Sequence, residues 1–419
     1  MDMREKMKCI RLKLNLTQQK LADMMGVSRS HINQIENGNR PIKPYYIKTF
    51  KDAINAPLLP LIEKEETQFI QKLHEWKDKI SSNEVSEAKE WKPQLARCAE
   101  LTTSDEIKNL YTIFSLAYYR LTNEMETYNS IMDQLKQNAE GFNDEQAYWF
   151  MRQIGINELY AFNYKTAYNI FLEAEKKGSS LNTNNEGIYF NISRCLTEMG
   201  FASKAIEYIE ESQKQANKEK NHSNDNNRRF MLVKNLIAIN KTREALEILN
   251  GCLREERKNV NESKLMSQIY RQMALAYLKM DDYDNAKKNI DISFNYIDEN
   301  KSSYANNLYY KSIILLADGQ IDKGIECLDQ CIKIEKEGTY HNILYNATRH
   351  SMTMENNASP EYIENIAIPK FQHHHVNLVL IKYYKIMCDH YRKKNKMKAL
   401  MYSERAFILS EKLREGVLT

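Results

Sequence analysis

Residues Leu16–Ile42 read LTQQKLADMMGVSRSHINQIENGNRPI. Two short stretches of helical spacing flank one glycine, Gly26, and the second stops at Asn37-Gly38. Thr17 stands where a hydroxyl accepts an orphan amide of a helix over Gln18–Met25. Gly26 breaks that helix, Ser28 caps a second one from Arg29 to about Asn37, and Gly38 supplies a left-handed stop. Two helices joined by a short glycine-containing turn form a helix-turn-helix. Leu21, Ala22 and Met25 face Val27, Ile32 and Ile35, and the small Ala22 lets the helices cross closely.

The outer face of the second helix is then left with Arg29, Ser30, Asn33, Gln34 and Asn37, none of which is needed to fill a core. Arg can fork onto guanine, Asn and Gln match adenine, and Ser serves either base, so Arg29, Ser30, Asn33 and Gln34 are candidate base readers. Gln18, Ser28, Asn37, Arg40 and Lys43 lie at helix ends or just beyond and are candidate phosphate contacts. Charge agrees with this. Residues 1–56 hold seven Lys and four Arg against three Asp and two Glu, a net +6. The whole chain is +4, which leaves −2 for the remainder. A small basic unit on a slightly acidic body has the electrostatic footprint of a nucleic-acid binder.

The stretch LTQQKLADMMGVSRSHINQIENG resembles the Cro/C1-type helix-turn-helix of phage repressors over roughly the first 56 residues. That resemblance implies base contacts from Arg29, Ser30 and Gln34 and phosphate contacts from Gln18 and Asn37. It also implies a double-stranded DNA operator as partner.

The rest of the 419-residue chain is organised differently. Twelve Gly and seven Pro are few for this length and favour long helices, so an all-α protein is expected. The stretch NAPLLPLIEKEE from Asn55 carries two prolines and marks a domain boundary, giving a DNA-binding domain 1–56 and a linker with connecting helices 57–105. Over 106–419 a motif recurs: a polar turn, a small residue, then an amphipathic helix. It appears in FNYKTAYNIFLEAEKKG, GFASKAIEYIEESQK, NKTREALEILNGCL, DDYDNAKKNIDISF, GQIDKGIECLDQCI and NKMKALMYSERAFI. The small positions are Ala167, Ala205, Ala245, Ala286, Gly324 and Ala399, separated by 38, 40, 41, 38 and 75 residues. The double gap asks for a degenerate unit near Tyr362, and the period asks for one near Thr127 before the first. Two helices per unit at this period predict a right-handed α-solenoid. The units resemble tetratricopeptide repeats, although they are longer and lack the usual Trp and Pro signature.

In such a solenoid the first helix of each unit lines the concave face. Candidate lining residues are Asn157, Asn191, Asn235, Arg271, Asn307, Tyr310 and Tyr384. An Asn amide can bond both the N–H and the C=O of an extended peptide, so such a groove grips peptide backbone.

Several functions are not expected. No phosphate loop, dinucleotide fingerprint, zinc-protease motif or nucleophile elbow is present, so no enzyme activity and no cofactor are anticipated. Seven Cys without a CxxC spacing read as thiols, including Cys327 and Cys331 at i, i+4. His373–His375 reads as a polar helix start and no metal site, and the 26 Tyr read as interhelical packing. A mean hydropathy of −0.65, no apolar run near 18 residues and no signal-peptide core predict a cytoplasmic protein without a membrane span.

A helix-turn-helix followed by a long repeat solenoid resembles the RRNPP family of peptide-responsive quorum-sensing regulators, with its neutral-protease-regulator and phage arbitrium-receptor branches. The resemblance implies a homodimer that binds an inverted-repeat operator. It also implies a short signalling peptide on the concave face that controls DNA binding. Two other readings compete. One is a Rap-like protein acting on a phosphorelay response regulator, and the other is a repeat adaptor that binds another protein.

Overall fold

The computed structural model describes residues 3–55, 59–219, 225–256, 263–297, 302–353 and 359–417. Among these residues the secondary structure is helical throughout, with no strand. The chain divides into two compact units, Met1–Gln153 and Ile154–Thr419.

The first unit opens with α1 (Met3–Lys13), α2 (Gln18–Met25), α3 (Arg29–Glu36) and α4 (Pro44–Ala53). The turn chemistry sets their ends. Thr17 Oγ1 accepts from the Lys20 amide at 3.1 Å and Ser28 Oγ accepts from the His31 amide at 3.2 Å. Gly26 closes α2 in the left-handed region at φ +67°. Gly38, at φ +80°, follows α3, which ends one residue before Asn37. Met7, Ile10, Leu21, Ala22, Met25, Ile32 and Phe50 form the core of this bundle. Leu59 and Ile62, from the segment read as linker, are buried in the same core. Each such side chain contributes about 1.5–3 kcal/mol when removed from water. The junction expected at residue 56 falls on residues 56–58, outside the described residues.

Beyond it, α5 (Glu63–Ser81), α6 (Val85–Leu101) and α7 (Asp105–Leu121) pack on one another around the fully buried Trp76, whose indole donates to the Ala88 carbonyl at 2.9 Å. Two ion pairs tie α1 to α5: Lys6 with Glu65 at 2.8 Å and Lys13 with Glu66 at 3.3 Å. Helix α8 (Met125–Asn138) occupies the position that the repeat spacing assigned near Thr127. Helix α9 (Asp144–Tyr160) spans the division between the units.

The second unit is a run of antiparallel hairpins: α10 (Tyr164–Ser180), α11 (Glu186–Met199), α12 (Ala202–Glu219), α13 (Asp225–Ala238), α14 (Thr242–Glu256), α15 (Ser263–Lys279), α16 (Tyr283–Phe294), α17 (Ser302–Ala317), α18 (Ile321–Ile334), α19 (Tyr340–Thr353), α20 (Ile368–His373), α21 (Asn377–Tyr391) and α22 (Lys396–Glu415). The small residues do the mechanical work expected of them. Ala167, Ala205, Ala245 and Ala286 are fully buried. A Cβ on Gly324 would sit 2.7 Å from the Leu316 side chain. The degenerate unit near Tyr362 carries a continuous helical stretch over residues 361–373, π-helical at Ile363–Ala367 and ending as α20.

One expectation is corrected here. The His373–His375 triplet does not start a helix; it ends α20 and forms the turn before α21, with His375 at φ +54°. The turn is needed because this unit curls until its last hairpins touch its first. Asn377 Nδ2 donates to the Met199 carbonyl at 2.8 Å, and Lys204 Nζ donates to the Gly416 carbonyl at 2.7 Å. The rings of Phe162 and Tyr340 stack at 5.0 Å. His374 is buried against the same seam, with Nδ1 3.1 Å from the Phe162 carbonyl.

Candidate functional site

The outer face of α3 presents Arg29, Ser30, Asn33 and Gln34 as exposed side chains on a helix whose opposite face, Ile32 and Ile35, is buried. The amphipathic split therefore leaves only polar groups facing out. What holds α3 in place is its last residue. Glu36 accepts from Arg11 Nε at 2.6 Å, Arg11 Nη2 at 2.9 Å and Gln18 Nε2 at 2.7 Å. Arg11 also donates to the Leu16 carbonyl at 2.7 Å. One bidentate pair and one amide thus lock α1 and the start of α2 onto the end of α3. One amide hydrogen of Gln18, expected at phosphate, is already committed to Glu36.

The flanking residues form a second layer. The Ser28 hydroxyl is the N-cap of α3, and Asn37 donates its amide to Asn33 one turn earlier. Arg40 and Lys43 are exposed in the connection to α4, and Lys43 is an extended residue just before Pro44. Arg40 Nη1 lies 2.9 Å from His31 Nδ1. A guanidinium is always a donor, so Nδ1 accepts and the imidazole is neutral. Burial, and then the Arg40 charge, lower the His31 pKa in agreement with this. His31 also packs edge-on against Tyr46 at 4.6 Å. It was not among the expected site residues, although it sits beside Ser30 on α3, because its role depends on Arg40 nine residues away. Tyr45 was missed too. It is 65% exposed in the first turn of α4, next to Lys43.

In the second unit the first helices of the middle hairpins, α11, α13, α15 and α17, pack side by side. Lys234 on α13 pairs with Glu198 on α11 at 2.5 Å, yet 43% of its side chain stays accessible. Burial disfavours the ammonium, but the charge of Glu198 and the proximity of Tyr310 outweigh it and hold the Lys234 pKa above the ordinary lysine value. Arg194 on α11 lies 3.4 Å from Asn191 Oδ1, with its guanidinium over the Tyr160 ring at 5.6 Å. Arg271 on α15 donates to Asn307 Oδ1 at 3.0 Å and lies 6.0 Å from the centre of the Tyr310 ring. Burial holds its pKa below the usual guanidinium value.

The structure brings Asn191, Asn235, Arg271, Asn307 and Tyr310 into this neighbourhood, and Asn157 is half-buried on α9. It does not leave them equally open. Asn307 is fully buried; its amide donates to Ser267 Oγ at 3.2 Å and Ser293 Oγ at 2.9 Å. It brackets three helices because the first helix of a unit is packed from both sides by its neighbours, and a lining position near that seam is covered. Asn191 and Asn235 are buried as well. Asn235 Nδ2 donates to Thr197 Oγ1 and to the Met231 carbonyl, both at 2.8 Å, whereas Asn235 Oδ1 has no partner among the described residues. Tyr384, on α21, is buried among the last hairpins. It accepts from Gln372 at 2.8 Å and contacts the Tyr402 ring at 6.0 Å. Lys234, Glu198 and Arg194 were not singled out from sequence, because 36 residues separate the ion pair and no local spacing marks it.

Among the described residues no group of His, Cys, Asp and Glu is arranged to hold a metal ion, and no helix is long and apolar enough to cross a membrane.

Residues 7–56 match the helix-turn-helix family. No curated protein matches the chain. Among solved structures, the chain is similar to NprR in complex with its cognate peptide NprX, at 17% identity and a TM-score of 0.73, over 84% of this chain and 99% of that one. It is similar to the apo form of the quorum sensor NprR from B. thuringiensis, at 18% identity and a TM-score of 0.62, over 82% and 99%. A Rap protein complexed with competence and sporulation factor shares 14% identity at a TM-score of 0.68, over 83% and 99%. At such identities the likeness is one of fold. The chain thus joins a helix-turn-helix bundle to a helical solenoid folded like those of NprR and the Rap protein.

Proposed function

We propose that this protein is a cytoplasmic, DNA-binding transcriptional regulator controlled by a short signalling peptide held on the inner face of its solenoid. The observation that carries the DNA half is the exposed polar row Arg29, Ser30, Asn33 and Gln34 on a helix locked from behind by Arg11 and Glu36. In this reading those four meet base edges in the major groove, and Gln18, Ser28, Asn37, Arg40 and Lys43 meet phosphates. Two copies, dimerising through the repeat domain 106–419, read an inverted repeat whose half-sites lie one or more turns of about 34 Å apart.

The peptide lies extended, with Asn157, Asn191 and Asn235 at its backbone and Arg271 and Tyr310 at its side chains. The likeness in fold to NprR in complex with its cognate peptide supports this. The test of the DNA half is selection of duplex from a random pool by the full chain, followed by a salt titration. The reading expects an enriched palindrome and a log affinity that falls steeply with log salt. Selection of no sequence at all would contradict it.

A Rap-like action on a phosphorelay response regulator is the second reading, favoured by the likeness in fold to the Rap protein. The presence of α1–α4 weighs toward DNA, and dephosphorylation of an aspartyl-phosphate partner by the purified chain would reverse that weighting.

A further inference from the structure

Residues 1–56 contain a single histidine, His31, and it lies on α3 among the candidate base readers. Its ring is held from two sides. Nδ1 lies 2.9 Å from Arg40 Nη1, on the connection that follows α3, and the ring meets Tyr46 of α4 edge-on at 4.6 Å, with Tyr45 packed behind at 5.6 Å. Nε2 is buried and has no partner among the described residues, so the one hydrogen bond of the imidazole is to Arg40. Arg40 is exposed and has no carboxylate in ion-pair range among the described residues. Its backbone amide donates to the Gln34 carbonyl at 3.1 Å, so the chain is fixed there while the long side chain leans on His31. An arginine already fixed in place loses less conformational freedom when a ligand takes hold of it.

We infer that His31 is a positioning residue for DNA binding: its neutral imidazole accepts from Arg40 and holds that guanidinium beside the exposed row of α3, ready for a phosphate. This rests on the DNA-binding reading above and adds a residue that acts through another. Only one N–H of the guanidinium is used on His31, which leaves the rest of the fork for the phosphate. The arrangement has a sign with pH. An imidazolium carries a proton at Nδ1, so donor would face donor and cation would face cation, and Arg40 is released. Among the described residues Arg40 is the charged group that faces the ring; the other neighbours are the rings of Tyr46 and, behind it, Tyr45. Burial, and then the Arg40 charge, keep the imidazole neutral to below the ordinary histidine range. A simple charge argument predicts the opposite trend, since a new positive charge on α3 would tighten DNA binding as pH falls.

The experiment uses the full chain and the duplex that it selects from a random pool. Affinity is measured at constant ionic strength from about pH 8 to about pH 5.5. The variants are His31→Phe, which keeps a ring without the acceptor, and His31→Asn, whose carbonyl stands near the place of Nδ1 and does not titrate. At neutral pH His31→Phe should lose about 10-fold in affinity and about 1 in salt slope, as Arg40→Ala does, while His31→Asn keeps most of both. On acidification the wild-type chain should lose affinity by a similar factor relative to His31→Asn. Arg40→Ala should cost little more in the His31→Phe background, because the two act through one contact. Should His31→Phe melt early, the pH profiles of the wild-type chain and His31→Asn carry the test. Relative binding that tightens or stays level on acidification, or an equal Arg40→Ala loss in both backgrounds, would overturn this inference and leave the DNA-binding reading standing. Selection of no duplex by the full chain would overturn both.

Discussion

The two candidate sites differ in how they are built. The face of α3 is made by eight consecutive residues whose roles follow from helical spacing, and its polar side chains point outward because Ile32 and Ile35 claim the other side. The site in the solenoid joins pairs of side chains 36 or 38 residues apart, already bonded to one another: Lys234 with Glu198, Asn235 with Thr197 and Arg271 with Asn307. A reading surface of the first kind works as soon as the bundle folds. One of the second kind depends on the curl of the whole second unit, and anything that bridges its helices feeds back on that curl. The first is suited to a fixed partner and the second to control.

The largest effect that separates the two concerns the lock behind α3. Arg11→Ala leaves Glu36 buried without its bidentate partner and should cost about 3–5 kcal/mol. Hydrogen exchange should then lose protection in α1–α4 while the second unit keeps its own. Equal loss across the whole chain would show that the two regions are not separable in this sense.

A smaller effect is expected on the reading face itself. Arg29→Ala or Gln34→Ala should each cost about 1–3 kcal/mol at the selected DNA site and relax base preference there, whereas Lys43→Ala should weaken all duplexes alike and reduce the salt slope by about 1. An unchanged preference in a folded Arg29→Ala protein would remove α3 from the role of base reader.

On the solenoid side, Asn307→Leu strips Arg271, Ser267 and Ser293 of their shared partner. A loss of about 1–3 kcal/mol in the stability of the second unit is expected, as for one buried donor and two acceptors left unmet. Its melting curve is the readout, and no change would mean that the bracket is idle.

The smallest effect is one of pH. His374 is held with Nδ1 against the Phe162 carbonyl and Nε2 buried without a partner among the described residues, so protonation would bury an unpaired N–H. Burial, and then the Lys370 charge, push its pKa down to about 4. The unfolded chain takes up this proton near the ordinary value of about 6.5, so stability is fully present above that pH and is lost as pH falls toward the folded value. The melting temperature of the second unit should therefore decline between these limits, and His374→Gln should flatten the decline.

How far the sequence could be read follows the same division. Thr17, Gly26, Ser28 and Gly38 act within a few residues of themselves, so α2 and α3 were legible almost to the residue. The repeat helices were legible because Ala167, Ala205, Ala245 and Ala286 recur where helices must approach closely. The inner face was not. An Asn at lining spacing looks the same whether it is open or, like Asn307, roofed by the neighbouring helix. Nor does spacing reveal that Lys234 meets Glu198, or that Tyr384 is drawn into the packing of the last hairpins. The His373–His375 turn was misread for the same reason, since the need to break a helix there comes from the seam with Phe162 more than 200 residues away.

The central claim is that the inner face controls the reading face, and linkage between the two ligands tests it most directly. Calorimetric titration of a peptide retained by the full chain should be run with and without the DNA duplex that the chain selects. Coupling of about 1–3 kcal/mol should appear as a 5- to 150-fold change in peptide affinity. The same factor should appear when DNA affinity is measured with and without peptide, because a ligand shifts an equilibrium only by its differential affinity for the two states. Equal peptide affinities in the presence and absence of DNA would contradict the account.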